Sequence, residues 1–163
     1  MTLIKQWRRD LYPAEKRVNF KQLGEQWNTM EVTLVDALTP ILNQALVKLE
    51  ADVAIILESG KLEGLLDLKI GYKDKLVNIV RQSLYEAYKV GKTGVHAEFN
   101  INKDLKVDGD MGEYFRVKAE AVISDIFNKV KTTTVFTVLA GVRANKTAQQ
   151  ILNDIRGNTK EGA

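Results

Sequence analysis

The stretch FKQLGEQWNTMEVTLVDALTPIL, residues 20–42, decides the fold, because large apolar side chains recur in it at intervals of seven. This spacing is typical of a helix whose apolar stripe packs against another helix. Pro40 interrupts the stripe, and proline disrupts a helix interior but is tolerated in a first turn. We therefore expect a junction between two helices at Pro40, with a kink as the alternative. The stripe consists of Phe20, Trp27, Leu34 and Ile41.

Two uses of this stripe are possible, because an apolar helix face can be buried by another protein or by the rest of its own chain. On the first interpretation the stripe is a protein interface, and a heptad pattern near one end of a chain favours it. On the second interpretation the same residues form an intramolecular core. The candidate interface residues are Phe20, Trp27, Met30 and Leu34.

Helical spacing continues in the middle of the chain. Residues 74–90 form one apolar face, and Gly91 is placed to cap the end of this helix. Residues 95–108 then alternate apolar and polar side chains, which indicates either a small β-hairpin or an irregular loop. From residue 112 the helical period returns and ends at Gly141.

The stretch AGVRANKTAQQILNDI, residues 140–155, predicts a corner between two helices. Thr147 can cap the last helix while Gln150 reaches back, which is the pattern of a capping box. Gly157 is expected to stop this helix. DNA recognition by such a corner would need base-reading side chains, and the last helix offers some polar candidates. Its expected apolar face is Ile151, Leu152 and Ile155, and its polar candidates are Gln149, Gln150, Asn153 and Asp154.

Together these patterns predict a mainly α protein, in which long N-terminal helices join a compact C-terminal helical module. We expect an N-terminal helical arm or hairpin over residues 1–58 and the module over 59–163, with a loop or hairpin insertion near 92–111.

Composition narrows the function classes. The chain has no cysteine, which excludes disulfides, thiolate metal sites and cysteine nucleophiles. Its apolar runs are far shorter than the roughly 18 residues that cross a membrane, so no membrane partner is expected. The net charge is only +3, with basic residues concentrated near the N-terminus and after residue 71. Candidate nucleic-acid contacts are Arg8, Arg9, Lys16 and Arg17, with DNA as a secondary partner.

The partial catalytic motifs in this sequence each lack residues that the chemistry requires. The Gly-Lys-Thr at residues 91–93 lacks the earlier glycine of a phosphate-binding loop, whose place is taken by Glu86. His96 and Glu98 match part of a zinc deaminase signature, but the cysteines that complete the signature do not exist in this chain. We therefore expect no enzymatic activity, no cofactor and no metal site.

Three segments carry a resemblance to a known family: LYEAYKVGKTGVHAEF at 84–99, AEAVISDIFNKV at 119–130 and VLAGVRANKTAQQILNDI at 138–155. In this order they resemble the phage Mu F-like head-morphogenesis, or minor-head-protein, family over roughly residues 76–156. The resemblance implies virion assembly near the portal vertex and transfers no catalytic residues. Gly91, Gly141 and Thr147 correspond to architectural positions.

The expected function is that of a non-enzymatic phage structural protein which takes part in head assembly through helix-mediated contacts. Its expected partner is a portal or capsid protein, with self-association also possible, and its expected location is the virion, assembled in the host cytoplasm. The chain is shorter than the longer members of the family, which leaves a fragment or a small portal-associated connector as interpretations. The alternative function is a small helical nucleic-acid-binding regulator.

Overall fold

A computed structural model describes residues 20–99 and 109–161, with side chains described for 21–94 and 111–157. Every regular element in these ranges is a helix, which confirms the prediction of a mainly α protein. The elements are α1 (Phe20–Ser59), a 3₁₀ helix (Leu62–Asp67), α2 (Lys73–Phe99), α3 (Gly109–Arg143) and α4 (Ala148–Glu161).

Helix α1 runs without interruption through Pro40, so the predicted junction at this residue is wrong. The apolar residues on both sides of Pro40 pack against one cluster in α2 and α3, and this burial holds the chain helical where the proline removes a backbone donor. The Thr39 hydroxyl donates to the Val35 carbonyl at 2.7 Å. The flanking residues are Leu38, Ile41 and Leu42.

Helix α2 also extends beyond its predicted end. Gly91 lies inside the helix, and residues 95–99, where a strand was one interpretation, are helical to Phe99. Once a helix has begun, each added residue gains a hydrogen bond, so a short alternating pattern and a glycine do not stop it. The rest of the possible hairpin, residues 100–108, lies outside the described residues.

Two hydrophobic clusters hold the helices together. The upper core joins α2 to the first half of α3, and the middle of α1 packs against it. The lower core joins the second half of α1, the 3₁₀ helix, the end of α3 and α4. The upper core consists of Leu76, Val77, Val80, Ala119 and Ile123. The lower core consists of Leu49, Val53, Leu65, Leu68, Val138, Ile151 and Ile155.

Residues on both sides of the predicted boundary at residue 58 therefore share the lower core. Two polar contacts join the elements around it. Lys131 of α3 donates from Nζ to the Leu66 carbonyl of the 3₁₀ helix at 2.6 Å. Arg156 of α4 donates from Nε to Oε2 of Glu50 in α1 at 2.8 Å. The first contact ties α3 to the 3₁₀ helix, and the second ties the last helix to the first.

The corner between α3 and α4 is built from two standard helix ends. Asn145 has a left-handed φ of 54°, and the Lys146 N–H donates to the Gly141 carbonyl at 3.0 Å, as in a Schellman motif. The Gln150 N–H donates to Thr147 Oγ1 at 3.3 Å, and the Thr147 N–H donates to Gln150 Oε1 at 2.8 Å. The predicted capping box is thus confirmed, while α3 ends at Arg143, two residues beyond Gly141.

Gly141 lets α4 approach α3 closely. A Cβ atom at this position would lie 2.5 Å from Cγ1 of Ile151, closer than carbon atoms can pack. Ile151 and Ile155 are buried as predicted, and Leu152 is half-buried. The predicted stop at Gly157 is wrong, because α4 continues to Glu161. Gly157 adopts the helical conformation, so it does not cap the helix.

We expect Gly141→Ala to lower the free energy of unfolding by about 1–3 kcal/mol, because α4 must move away from the added methyl group. The matched control is Gly91→Ala, since a Cβ at Gly91 meets no atom within 4 Å. Alanine inside a helix is favoured over glycine, so this control should gain about 0.5–1 kcal/mol. Urea denaturation measures both, and a loss of stability in Gly91→Ala would contradict its place inside the helix.

Thr134 is the polar side chain of α3 that lies deepest in the protein. It is 2% exposed, and within the part of the chain that the structure describes its hydroxyl oxygen has no hydrogen-bond partner. A buried hydroxyl without a partner loses its interaction with water and regains nothing.

Thr134→Val should therefore raise the free energy of unfolding by about 1 kcal/mol, because it replaces the hydroxyl with a methyl group of similar shape. Thr134→Ser is the control: it keeps the hydroxyl and deletes a buried methyl group, and should lose about 0.8 kcal/mol. Thermal and urea unfolding compare the two. If valine destabilised the protein, the hydroxyl would have a partner after all.

Candidate protein interface

The first half of α1 is much less buried than the second half. Ala45 is its first fully buried side chain, and among residues 21–44 every side chain is exposed or half-buried. Beyond Ala45, Leu49 and Val53 are fully buried in the lower core. A 40-residue helix therefore has one end fixed in the protein and one end that is covered on only part of its surface.

A groove of about 300 Å³ lies between this first half of α1 and α2. Its apolar part is formed by one methionine, one leucine, one alanine and one isoleucine. The two threonines on its α1 side donate their hydroxyls to carbonyls of their own helix, at 2.9 Å for Thr29 and 2.8 Å for Thr33, so these donors are already used. The lining residues are Thr29, Met30, Thr33, Leu34 and Ala37 of α1 and Ile79, Gln82, Ser83 and Glu86 of α2.

The structure separates the four predicted interface residues into different environments. Met30 and Leu34 are half-buried and line the groove against α2. Trp27, one turn before Met30, is 51% exposed. Phe20 is the first residue of α1, and its side chain lies outside the described part. Trp27 is therefore the exposed aromatic residue among the four candidates. Met30 and Leu34 lie where α1 and α2 leave a groove between them.

The α2 side of the groove carries a charged pair. Glu86 lies 3.3 Å from Lys89 Nζ, and both side chains are more than two-fifths exposed. An exposed pair of this kind contributes little to stability. The Glu86 carboxylate at the groove is thus already paired with Lys89 of the same helix.

The adjoining end of α3 is fixed to α2 by aromatic contacts. The rings of Tyr88 and Phe115 lie 5.6 Å apart, and Phe115 packs in turn against Tyr114 at 5.9 Å. On the same turn Arg116 binds Glu113 and Glu120, each at 2.6 Å. The hydrogen bond from Arg116 lowers the pKa of Glu113, and the same contact raises the pKa of Arg116. Helices α2 and α3 therefore pack directly against each other next to the groove between α1 and α2.

Sequence reasoning missed Ala37 and Ile79 as groove residues. A signal for Ala37 existed, since Met30, Leu34 and Ala37 stand at helical spacing of four and three. Ile79 belongs to the stretch 74–90, for which an apolar face was expected, but the sequence could not show that Leu76 and Val80 are buried whereas Ile79 is only half-buried. The candidate nucleic-acid contacts lie outside the described residues: Arg8, Arg9, Lys16 and Arg17.

The polar side chains of α4 form hydrogen bonds within α4 and with the turn before it. Gln150 forms the capping box, and Asp154 accepts from Lys146 Nζ at 2.7 Å. Gln149 donates to Asn153 at 3.1 Å. These contacts give all four side chains a structural role in the corner.

No protein-family model, curated protein sequence or solved structure matches this chain. In the described ranges, no group of three or more His, Cys, Asp or Glu side chains is arranged to hold a metal ion. Within the same ranges no helix combines the length and the apolar character needed to cross a bilayer.

We expect Trp27→Ala to change the free energy of unfolding by less than about 0.5 kcal/mol, because the side chain is exposed on a sparsely packed half of α1. Leu49→Ala, in the buried half of the same helix, should lose about 2–5 kcal/mol. Urea denaturation of the two variants measures the difference. A large loss at Trp27 would show that this residue belongs to an internal core.

Proposed function

We propose that this protein is a non-enzymatic structural component of a phage head, which acts near the portal vertex through helix-mediated contacts. Its proposed location is the virion, assembled in the host cytoplasm. The observation that carries the proposal is the sparsely covered first half of α1, where exposed Trp27 adjoins the groove lined by Met30 and Leu34.

An aromatic side chain beside an apolar groove suits a protein partner. Tryptophan is enriched among the residues that dominate binding energy, because it buries a large surface with little loss of conformational entropy. A second helix laid along α1 beside the groove would bury Trp27 together with Met30 and Leu34 in the helix-in-groove mode of recognition.

The family resemblance supplies the class of partner. The resembling segments fall in α2, in α3 beside the upper core, and in the corner, so they belong to the elements that support α1. We therefore assign a portal protein as the first candidate partner, with a capsid protein or a second copy of this chain as the next candidates. The α4 polar residues are bound within the corner, which gives no support to major-groove readout by this helix.

The test mixes the protein with the portal ring from the same source and measures the mass of the complex by light scattering after size exclusion. We expect a discrete complex, and we expect Trp27→Ala to weaken it roughly tenfold to a hundredfold, as is usual for a central tryptophan. The double variant Trp27→Ala, Leu34→Ala should weaken it further. Phe136→Ala is the matched control, since Phe136 is 70% exposed but lies on α3.

The dependence of binding on salt concentration distinguishes the two candidate functions. Burial of apolar surface changes little between low and high salt, whereas nucleic-acid binding falls steeply because counterions are released. A folded protein that ignores the ring and binds DNA in a salt-sensitive manner would refute the head-assembly proposal and support the regulator.

A further inference from the structure

We propose that a second copy of this chain covers the outer face of α3, so that two α3 helices pack antiparallel about a twofold axis level with residue 131. This surface is separate from the groove between α1 and α2. The inference does not depend on the proposed function, because the contact requires no other protein. The outer face of α3 consists of Val122, Ile126, Lys129, Thr133, Phe136 and Ala140.

The outer face forms one exposed row on α3. Its residues follow each other at intervals of four and three, which places them on one side of a continuous helix. Ile123 and Val138 of the same helix are buried, whereas every residue of the outer face is exposed, and Phe136 is 70% exposed. Large apolar side chains at this spacing are typical of a helix that packs against another helix.

The spacing of the outer face suits a second copy of the same helix. The intervals are four, three, four, three and four, which read the same in both directions. Two antiparallel copies can therefore align all six positions at once, and the twofold axis forms each contact twice. Ile126 then lies opposite Phe136 of the second copy, and Val122 lies opposite Ala140, so each aromatic ring meets an aliphatic side chain.

Lys129 determines the direction in which the two helices run, because it is the charged residue of the outer face. In a parallel pair, Lys129 of one copy would face Lys129 of the other, and the like charges would repel. In the antiparallel pair, Thr133 of the second copy lies opposite Lys129, and a threonine hydroxyl can accept a hydrogen bond from the ammonium group. A single lysine in such a row specifies the register at a cost in stability.

The charge of Lys129 is already balanced within its own helix. Its Nζ lies 2.7 Å from Oδ2 of Asp125, one turn earlier. The outer face therefore does not require an acidic partner to neutralise it. An apolar row that carries its own counter-ion matches a second row of the same kind.

The length of the outer face sets the strength of the contact. Residues 122–140 span about 27 Å of helix at 1.5 Å per residue. Two helices in contact over this length bury on the order of 1,000 Å² in total, which is the lower limit for a specific interface. We therefore expect a weak dimer, with a dissociation constant of roughly 10–100 µM.

Sedimentation equilibrium at protein concentrations between about 1 µM and 1 mM tests for this dimer, since the range brackets the expected constant. Phe136→Ala should weaken the dimer about tenfold or more, because it removes the largest apolar side chain of the contact. Lys129→Leu should tighten the dimer severalfold, because it removes the polar group from the row. Trp27→Ala is the matched control and should leave the dimer unchanged, since Trp27 lies on α1. Circular dichroism checks that each variant is folded.

Disulfide cross-linking tests the antiparallel register, because the natural chain contains no cysteine. Val122→Cys and Ala140→Cys place their thiols opposite each other only when the two variants are mixed. We expect the mixture to form linked dimers under mild oxidation and each variant alone to remain unlinked. In the antiparallel dimer, identical positions at the ends of the row lie about 27 Å apart along the helix, far beyond the roughly 7 Å that a disulfide can span between Cα atoms.

Three results would overturn the proposal. The protein could remain a monomer over the whole concentration range, or its dimer could be unaffected by Phe136→Ala. Linked dimers of either cysteine variant alone would show a parallel contact. None of these experiments contains a portal protein, and portal binding is expected to depend on Trp27 and not on Phe136. The failure of one proposal is therefore distinguishable from the failure of the other.

Discussion

The close approach of α4 to α3 at Gly141 is the constraint on which the rest of the structure depends. A side chain at this position would push Ile151 away, and Ile151 is part of the lower core together with residues of α1 and the 3₁₀ helix. The Schellman turn and the capping box then fix the direction in which α4 leaves the corner. One glycine and two helix caps thus bring the end of the chain back onto its first helix.

This arrangement explains how α1 can have two unlike halves. Its second half is surrounded by the 3₁₀ helix, α3 and α4, and it carries the fully buried residues of the helix. The first half has α2 beside it and keeps Trp27 and Val35 exposed. Because the fully buried side chains of α1 all lie in its second half, the exposed apolar surface of the first half contributes little to holding the fold.

Local signals in the sequence predicted the parts of the fold that local interactions determine. The capping box at Thr147 needs only residues three positions apart, and the apolar face of α4 follows from helical spacing. The junction at Pro40 and the helix end at Gly91 were wrong because both were read from local propensity, whereas the packing around the upper core and the continuing helix determine the outcome. For the candidate site, Trp27, Met30 and Leu34 were predicted from the sequence as interface residues, a prediction that stays open. The sequence could not show that α2 lies against two of them, since pairing of distant helices has no local signature.

Pro40 has a mechanical consequence for the protein. Proline has no N–H, so the Asp36 carbonyl lacks its helical donor, and helices bend most easily at such points. This weak point lies between the sparsely packed half of α1 and the half that is anchored in the lower core. The part of α1 before Pro40 is about 30 Å long, so a bend of only about 10° would move its tip by about 5 Å. The bend point of α1 lies where Leu38, Ile41 and Leu42 contact α2 and α3. A small rotation of the first half about this point would widen or narrow the groove without moving the second half.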